Sequence, residues 1–230
     1  RSEFGHEYAA YRFGYCEYAE LEPHDNPMDL YKRGFLPYSA DPSVHNVFYM
    51  ARSARIALKT FECSSENRRI GKRFDDTFST HSLSAREARA DSRIREMFLN
   101  YFKLRHGKGV MPAGRFDALL ASPLPLKVVL YEKGGALAAV ALEVGDKIFG
   151  HFWFSAYDLS YAKQSLGMWL MLDAVRRAKA AGRVHYYIGT VYGEKALYKT
   201  NLGPLEFWDG SAWSADLMHL KKLARTESKK

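Results

Sequence analysis

A chain of 230 residues with 47% apolar and 14% aromatic content is long enough to bury a substantial core in one large or two small domains. It holds no apolar run near the ~20 residues a membrane helix needs and no signal-type apolar segment, so the expectation is a cytoplasmic protein with no membrane partner. Its two cysteines, Cys16 and Cys63, lack metal-type spacing, which argues against a disulfide framework and a zinc site, while a net charge of +8 points to a polyanionic partner.

In chain order, residues 1–50 read as irregular, with aromatic residues among breakers at Pro23, Pro27, Pro37 and Pro42. A strand is predicted from Tyr49 to Phe61, with Ile56 and Leu58 pointing one way and Arg55 and Lys59 the other. Ser64 or Ser65 then caps a helix running through Phe74. Between Arg52 and Arg105 there are 13 Lys or Arg against 7 Asp or Glu, and Arg68, Arg69, Lys72 and Arg73 cluster tightly. That stripe reads either as a solvated helix face or as a phosphate-binding surface for RNA rather than DNA. Residues 85–105 read as one helix with Ile94, Phe98, Tyr101 and Phe102 on its apolar face.

From Lys127 the pattern changes to strands. Lys127–Glu132, Ala136–Val144 and Lys147–Phe154 are predicted strands, turned at Gly134-Gly135 and Gly145-Asp146. A helix follows from about Ser160 to Ala181, with Leu166, Leu170, Leu172, Val175 and Ala178 at helical spacing and a stop at Gly182. Then come the strand Val184–Gly189, a short helix carrying Lys195 and Lys199, and a final strand pair.

The turn Gln164–Gly167 stands where loop becomes helix, and Gly167 lets backbone N–H groups approach an anion at the positive end of the helix dipole. The pyrophosphate of coenzyme A and the 3′ end of a nucleic acid both suit such a place. Gln-x-x-Gly resembles part of the phosphate loop of GNAT-type N-acyltransferases, with Trp169 at that loop's last position. Further blocks follow in order: Asp29–Ser39 with its Arg33-Gly34-Phe35; Arg55–Arg69; Tyr101–Gly107 followed by Gly109-Val110-Met111; Ser165-Leu166-Gly167; Tyr187-Ile188-Gly189; Lys195 with Tyr198-Lys199; and Pro204-Leu205-Glu206. Together they resemble, over residues 12 to 217, the arginyl and leucyl transferases of the N-degron pathway, which move an amino acid from charged tRNA to a protein N-terminus.

That resemblance implies an α/β fold in which a small N-terminal region, residues 1–90, precedes a GNAT-like core, residues 91–230. It implies aminoacyl-tRNA as co-substrate, a protein or peptide acceptor with an acidic N-terminus favoured, and no other cofactor. The chain departs from the family in lacking its N-terminal cysteine cluster and in a shorter connection between Gly189 and Lys195. Two rival readings stay open: an acyl-CoA-dependent N-acyltransferase, and an inactive module that binds tRNA or degrons.

For the site, Gln164, Ser165 and Gly167 are expected to hold the donor, together with Lys195 and Lys199 four residues apart on one helical face and Tyr198 beside them. Glu206 would orient the incoming amine or take its proton, or be an ordinary surface carboxylate. Tyr187 lines the acyl pocket or packs in the core. Arg105 and His106 contact phosphate, or His106 acts as base, or it is simply favoured at a helix C-terminus. Arg55, Arg68 and Arg69 are candidates to read an acidic acceptor or to serve the tRNA. An aminoacyl ester is already activated, so the protein's task is positioning and oxyanion stabilisation, for which a β-bulge donor in a splayed strand suffices.

Overall fold

Long apolar runs build the centre of the molecule. The computed structural model describes residues 3–4 and 15–227; the parts of the irregular N-terminal stretch and of the family resemblance that fall on residues 1–2 and 5–14 lie outside these. Strands β8 (Leu126–Lys133), β9 (Ala136–Gly145) and β10 (Phe149–Tyr157) form a meander buried on both faces. Gly134 and Gly135, at φ 57° and 81°, make the two-residue turn that only left-handed residues allow.

The eight-stranded sheet has the order β13-β12-β6-β11-β10-β9-β8-β7, adding β6 (Ser53–Ala57), β7 (Ser79–Ser84), β11 (His185–Thr190), β12 (Leu205–Trp208) and β13 (Trp213–Ser214). It therefore draws strands from both sides of residue 90. Every neighbouring pair is antiparallel except β10 with β11. Helices α2 (Ser65–Phe74) and α6 (Leu166–Ala180) pack together on one face. On the other lies α4 (Ser92–Arg105), whose Phe102 meets Phe154 of β10. Beside α4, α1 (Pro27–Lys32) and a small sheet of β3 (Tyr18–Glu20), β5 (Val47–Met50) and β4 (Phe35–Pro37) bury Tyr31 and Phe48 against Phe149 and Tyr187. A ribbon of β1 (Glu3–Phe4) and β2 (Tyr15–Cys16) precedes it.

Ser64 is the cap of α2, its hydroxyl accepting from the Asn67 N–H. Three expected elements differ. The strand over 49–61 is two strands, β5 and β6, because the chain leaves the small sheet at Ala51-Arg52 to enter the large one. The helix over 85–105 breaks at Asp91 into α3 (Ala85–Ala90) and α4, since Asp91 caps the second through the Arg93 N–H. The helix from Ser160 begins as a 3-10 segment, Leu159–Gln164, and turns into α6 at Ser165. A helix not anticipated, α7 (Leu217–Glu227), buries Leu220 and Ala224; α5 (Ala113–Ala121) covers the end of α4. Among the described residues no helix is long and apolar enough to cross a membrane.

Candidate active site

The parallel pair β10–β11 is short. It runs Phe149↔His185, Gly150↔Tyr186 and His151↔Tyr187, and then the strands part. β10 continues along β9 through a register shift between Phe152 and Phe154, which makes Trp153 a bulge residue. β11 shifts against β6 between Tyr187 and Thr190, at Gly189 with φ 78°. The result is a wedge at the C-terminal ends of two parallel strands, the edge where open α/β sheets bind ligands. The chain leaving β10 winds into the N-terminus of α6, and the chain leaving β11 winds into the 3-10 helix Glu194–Leu202.

At the root of the wedge, register lines up four side chains across four strands: His151, Tyr187, Arg55 and Glu206. His151 is buried, and its Nδ1 shares a 2.9 Å hydrogen bond with the Tyr31 hydroxyl. Burial, aided by the nearby Lys199 charge, pushes its pKa down to about 3, so the ring is neutral. Tyr187 is fully buried, its ring 4.8 Å from Tyr31 and its hydroxyl within the influence of the Arg55 guanidinium. Burial raises its pKa, and the Arg55 guanidinium partly offsets this. Arg55 Nε donates to Glu206 at 2.7 Å while its guanidinium stacks 4.0 Å over Trp213. Arg55 and Glu206 are thus each other's counter-ion, and Tyr187 packs in the core.

Lys199 reaches the wedge from its open side. Its Nζ donates to the Thr190 carbonyl at 2.8 Å and stands 3.5 Å from where a Cβ on Gly189 would lie. Burial lowers its pKa to about 8. Lys195, by contrast, is exposed. The expected shared face of the two lysines is not formed, because a 3-10 helix repeats every three residues and places i and i+4 a third of a turn apart. Tyr198, three residues from Lys195, is 46% exposed on that outer side.

Ser165 takes the left-handed conformation, φ 67°, between the 3-10 segment and α6, and the Gln164 carbonyl accepts from Arg73 at 2.8 Å. Gly167 meets a requirement beyond ligand approach: a Cβ there would lie 3.0 Å from the Tyr157 ring. Tyr157 in turn packs against Tyr101 of α4, ring centres 4.8 Å apart and planes tilted by 51°, and the Tyr198 hydroxyl acts electrostatically on Tyr101. An aromatic wall of Tyr157, Tyr101 and Tyr198 therefore links the α6 turn to the 3-10 helix. Arg105 is exposed beside it, whereas His106 packs on Phe102 at 5.1 Å, and burial followed by the Arg105 charge lowers its pKa. The helix-end stabilisation expected of a charged His106 is overridden by burial and a neighbouring cation. Arg68 donates to the Cys63 carbonyl, and Arg69 pairs with Glu66 at 2.6 Å; both are exposed on α2.

Tyr31 and Tyr101 fall within the family-like blocks Asp29–Ser39 and Tyr101–Gly107, Tyr101 also on the apolar stripe of its helix, without a site role attached to either. No local signal marks His151 or Tyr157, whose positions follow from cross-strand register.

A bulged strand splayed from a parallel partner, with a long helix starting at the open end, defines an N-acyltransferase domain of the GNAT class. A family described as "Acetyltransferase (GNAT) domain" matches residues 64–200. The aspartate/glutamate leucyltransferase of Parvibaculum lavamentivorans is 30% identical over 172 residues, covering 71% of this chain and 69% of that one. That of Cereibacter sphaeroides is 30% identical over 176 residues, covering 71% and 61%. The solved structure of FemX is similar over 71% of this chain and 59% of its own, at 8% identity and a TM-score of 0.44. The chain belongs to the aspartate/glutamate leucyltransferase family. It spans 61%, 60% and 60% of the length of three Cereibacter sphaeroides relatives, from different strains.

Proposed function

We propose that this protein transfers an aminoacyl group, leucyl in the first instance, from charged tRNA to the α-amino group of a protein or peptide whose first residue is aspartate or glutamate. The observation that carries this reading is the wedge between β10 and β11, with the Lys199 ammonium at its side and the N-terminus of α6 at its mouth, in a chain of this family. The terminal phosphate of the tRNA would meet the N-terminus of α6 and Lys199, two positive features at one edge of the sheet. The ester carbonyl would lie by the bulge at Trp153, where a backbone N–H turned out of the ladder would stabilise the oxyanion. The neutral amine attacks the carbonyl carbon, the C–O bond to the terminal ribose breaks, and the ribose oxygen regains a proton as the amine loses one. No nucleophilic side chain is required, since the ester is activated. Charged tRNA and a protein acceptor are the partners of this reading, with a cytoplasmic setting.

The test is to incubate the protein with a pool of aminoacylated tRNAs and peptides beginning with Asp, Glu, Asn or Ala, and to read products by mass spectrometry. Addition of one leucyl residue to the Asp and Glu peptides alone is the expected result. The acetyltransferase description of the matched family favours acyl-CoA as the alternative donor; acyl incorporation from coenzyme A with none from tRNA would replace the reading. Binding of tRNA without turnover of either donor would leave only a binding module.

A further inference from the structure

Arg55 and Arg69 already hold carboxylates, and Arg68 is turned to a backbone carbonyl. Another arginine is placed quite differently. Arg115, in the first turn of α5, lines a small cleft of about 40 Å³ between the small sheet and α5, with Tyr38, Ser39, His45 and Trp153 among its walls. Its Nη1 donates to the Val110 carbonyl at 2.6 Å and its Nη2 to the Ser39 hydroxyl at 3.1 Å. Its Nε is buried with no acceptor. Among the described residues no carboxylate forms an ion pair with it, whereas Arg52, Arg55 and Arg177, which also sink into the protein, each hold one. Asp41, also on the cleft wall, has its carboxylate engaged by the Ser43 N–H at 2.9 Å and hydroxyl at 2.7 Å. The phenols of Tyr38 and Tyr49 lie near enough to act on the guanidinium, and His45 also lines the cleft.

A guanidinium N–H buried without an acceptor, on a cation without a counter-ion, is costly to keep unless something anionic completes it. The Nε side of the fork is the edge that receives a carboxylate bidentately. Its position says which carboxylate. The guanidinium lies 5.7 Å from the Phe154 ring, and Trp153, the bulge residue of β10, forms the adjoining wall. An N-terminal aspartate or glutamate carries its amine and side-chain carboxylate within ~5 Å of each other, so an amine at the bulge sends its carboxylate into this cleft.

We propose that Arg115 is the residue that reads the acidic side chain of the acceptor, with the cleft between β4–β5 and α5 as its pocket. The assignment rests on the aminoacyl-transfer reading for its chemistry, and its test can be separated from that reading. Peptides beginning with Asp and with Asn are titrated calorimetrically into the full chain, wild type and the variants Arg115→Gln and Arg115→Lys, and charged tRNA binding is measured on the same preparations. Wild type is expected to favour the Asp peptide by about tenfold or more, Arg115→Gln to bind both alike, and Arg115→Lys to fall between, with tRNA affinity unchanged throughout. Because the readout is a ratio of two peptides on one preparation, partial loss of folded protein does not move it. A wild type that does not discriminate, or an Arg115→Gln protein that still does, overturns the assignment. Discrimination through Arg115 with no transfer from any charged tRNA would sink the transfer reading and keep the pocket; transfer with an unchanged Asp/Asn ratio in Arg115→Gln would do the reverse.

Discussion

Arg177 and Arg115 are both half-buried, and their surroundings could hardly differ more. Arg177, on α6, donates to Glu143 of β9 at 2.6 Å, to Asp173 at 2.8 Å and to the Tyr131 hydroxyl at 3.0 Å, while that hydroxyl donates to Asp173. Every partner is supplied by the fold, and the network pins α6 to the meander beneath it. Despite the burial, the charges of this cluster raise the pKa of Arg177, whereas burial lowers that of Arg115. A buried cation surrounded by its own carboxylates is a fastening; one left without any at the wall of a cleft is open to an anion from outside.

That contrast can be tested by taking the groups apart. Arg177→Met should have the largest effect, a loss of about 3–5 kcal/mol in urea unfolding, because it strands Glu143 in the core; adding Glu143→Gln should recover part of it. His151 comes next. Its folded pKa, about 3, lies below the ordinary 6.5, so below pH 6.5 the unfolded chain takes a proton the folded one refuses, and stability falls as the pH drops. The His151→Gln protein should lack ~2 kcal/mol of the wild-type decline between pH 6.5 and 4.5.

For Lys199 the window is alkaline. With a folded pKa near 8 against 10.5, the buried ammonium destabilises the protein at neutral pH, and stability is regained as the pH rises from 8 to 10.5. Lys199→Met should be flat across that window, more stable at pH 7 by about 2 kcal/mol, and weaker for the charged donor. Smallest of all, Arg115→Met should shift unfolding by less than about 1 kcal/mol, since it strands no carboxylate. A loss as large as that of Arg177→Met would erase the distinction between the two arginines.

Local chemistry was the legible part of this fold. The Ser64 cap, the paired glycines of the β8–β9 turn and the stripe of Ile94, Phe98, Tyr101 and Phe102 each express a rule spanning a few residues, and the structure keeps all three. The order of short family blocks carried the fold class and the family. What local pattern could not convey is register. Arg55 meets Glu206 across 151 positions, and Tyr31 meets His151 across 120, so both contacts depend on which strands pair and in what phase. The lysine face failed for a subtler reason: Lys195 and Lys199 sit at α-helical spacing, but the segment winds as a 3-10 helix, and one lysine goes in while the other stays out.

The central place of β6 has a temporal side. Its residues, 53–57, leave the ribosome early, yet both its neighbours come from the last third of the chain, β11 at 185–190 and β12 at 205–208. Arg52, just ahead of it, pairs with Glu227, 175 positions on. The meander of β8, β9 and β10 can close before β11 is made, but the strand that carries Arg55 must wait, edges unpaired, until β11 and β12 have emerged. The wedge is therefore the last part of the sheet to be completed, and a nascent chain halted before β12 would hold the meander without the row that roots the site.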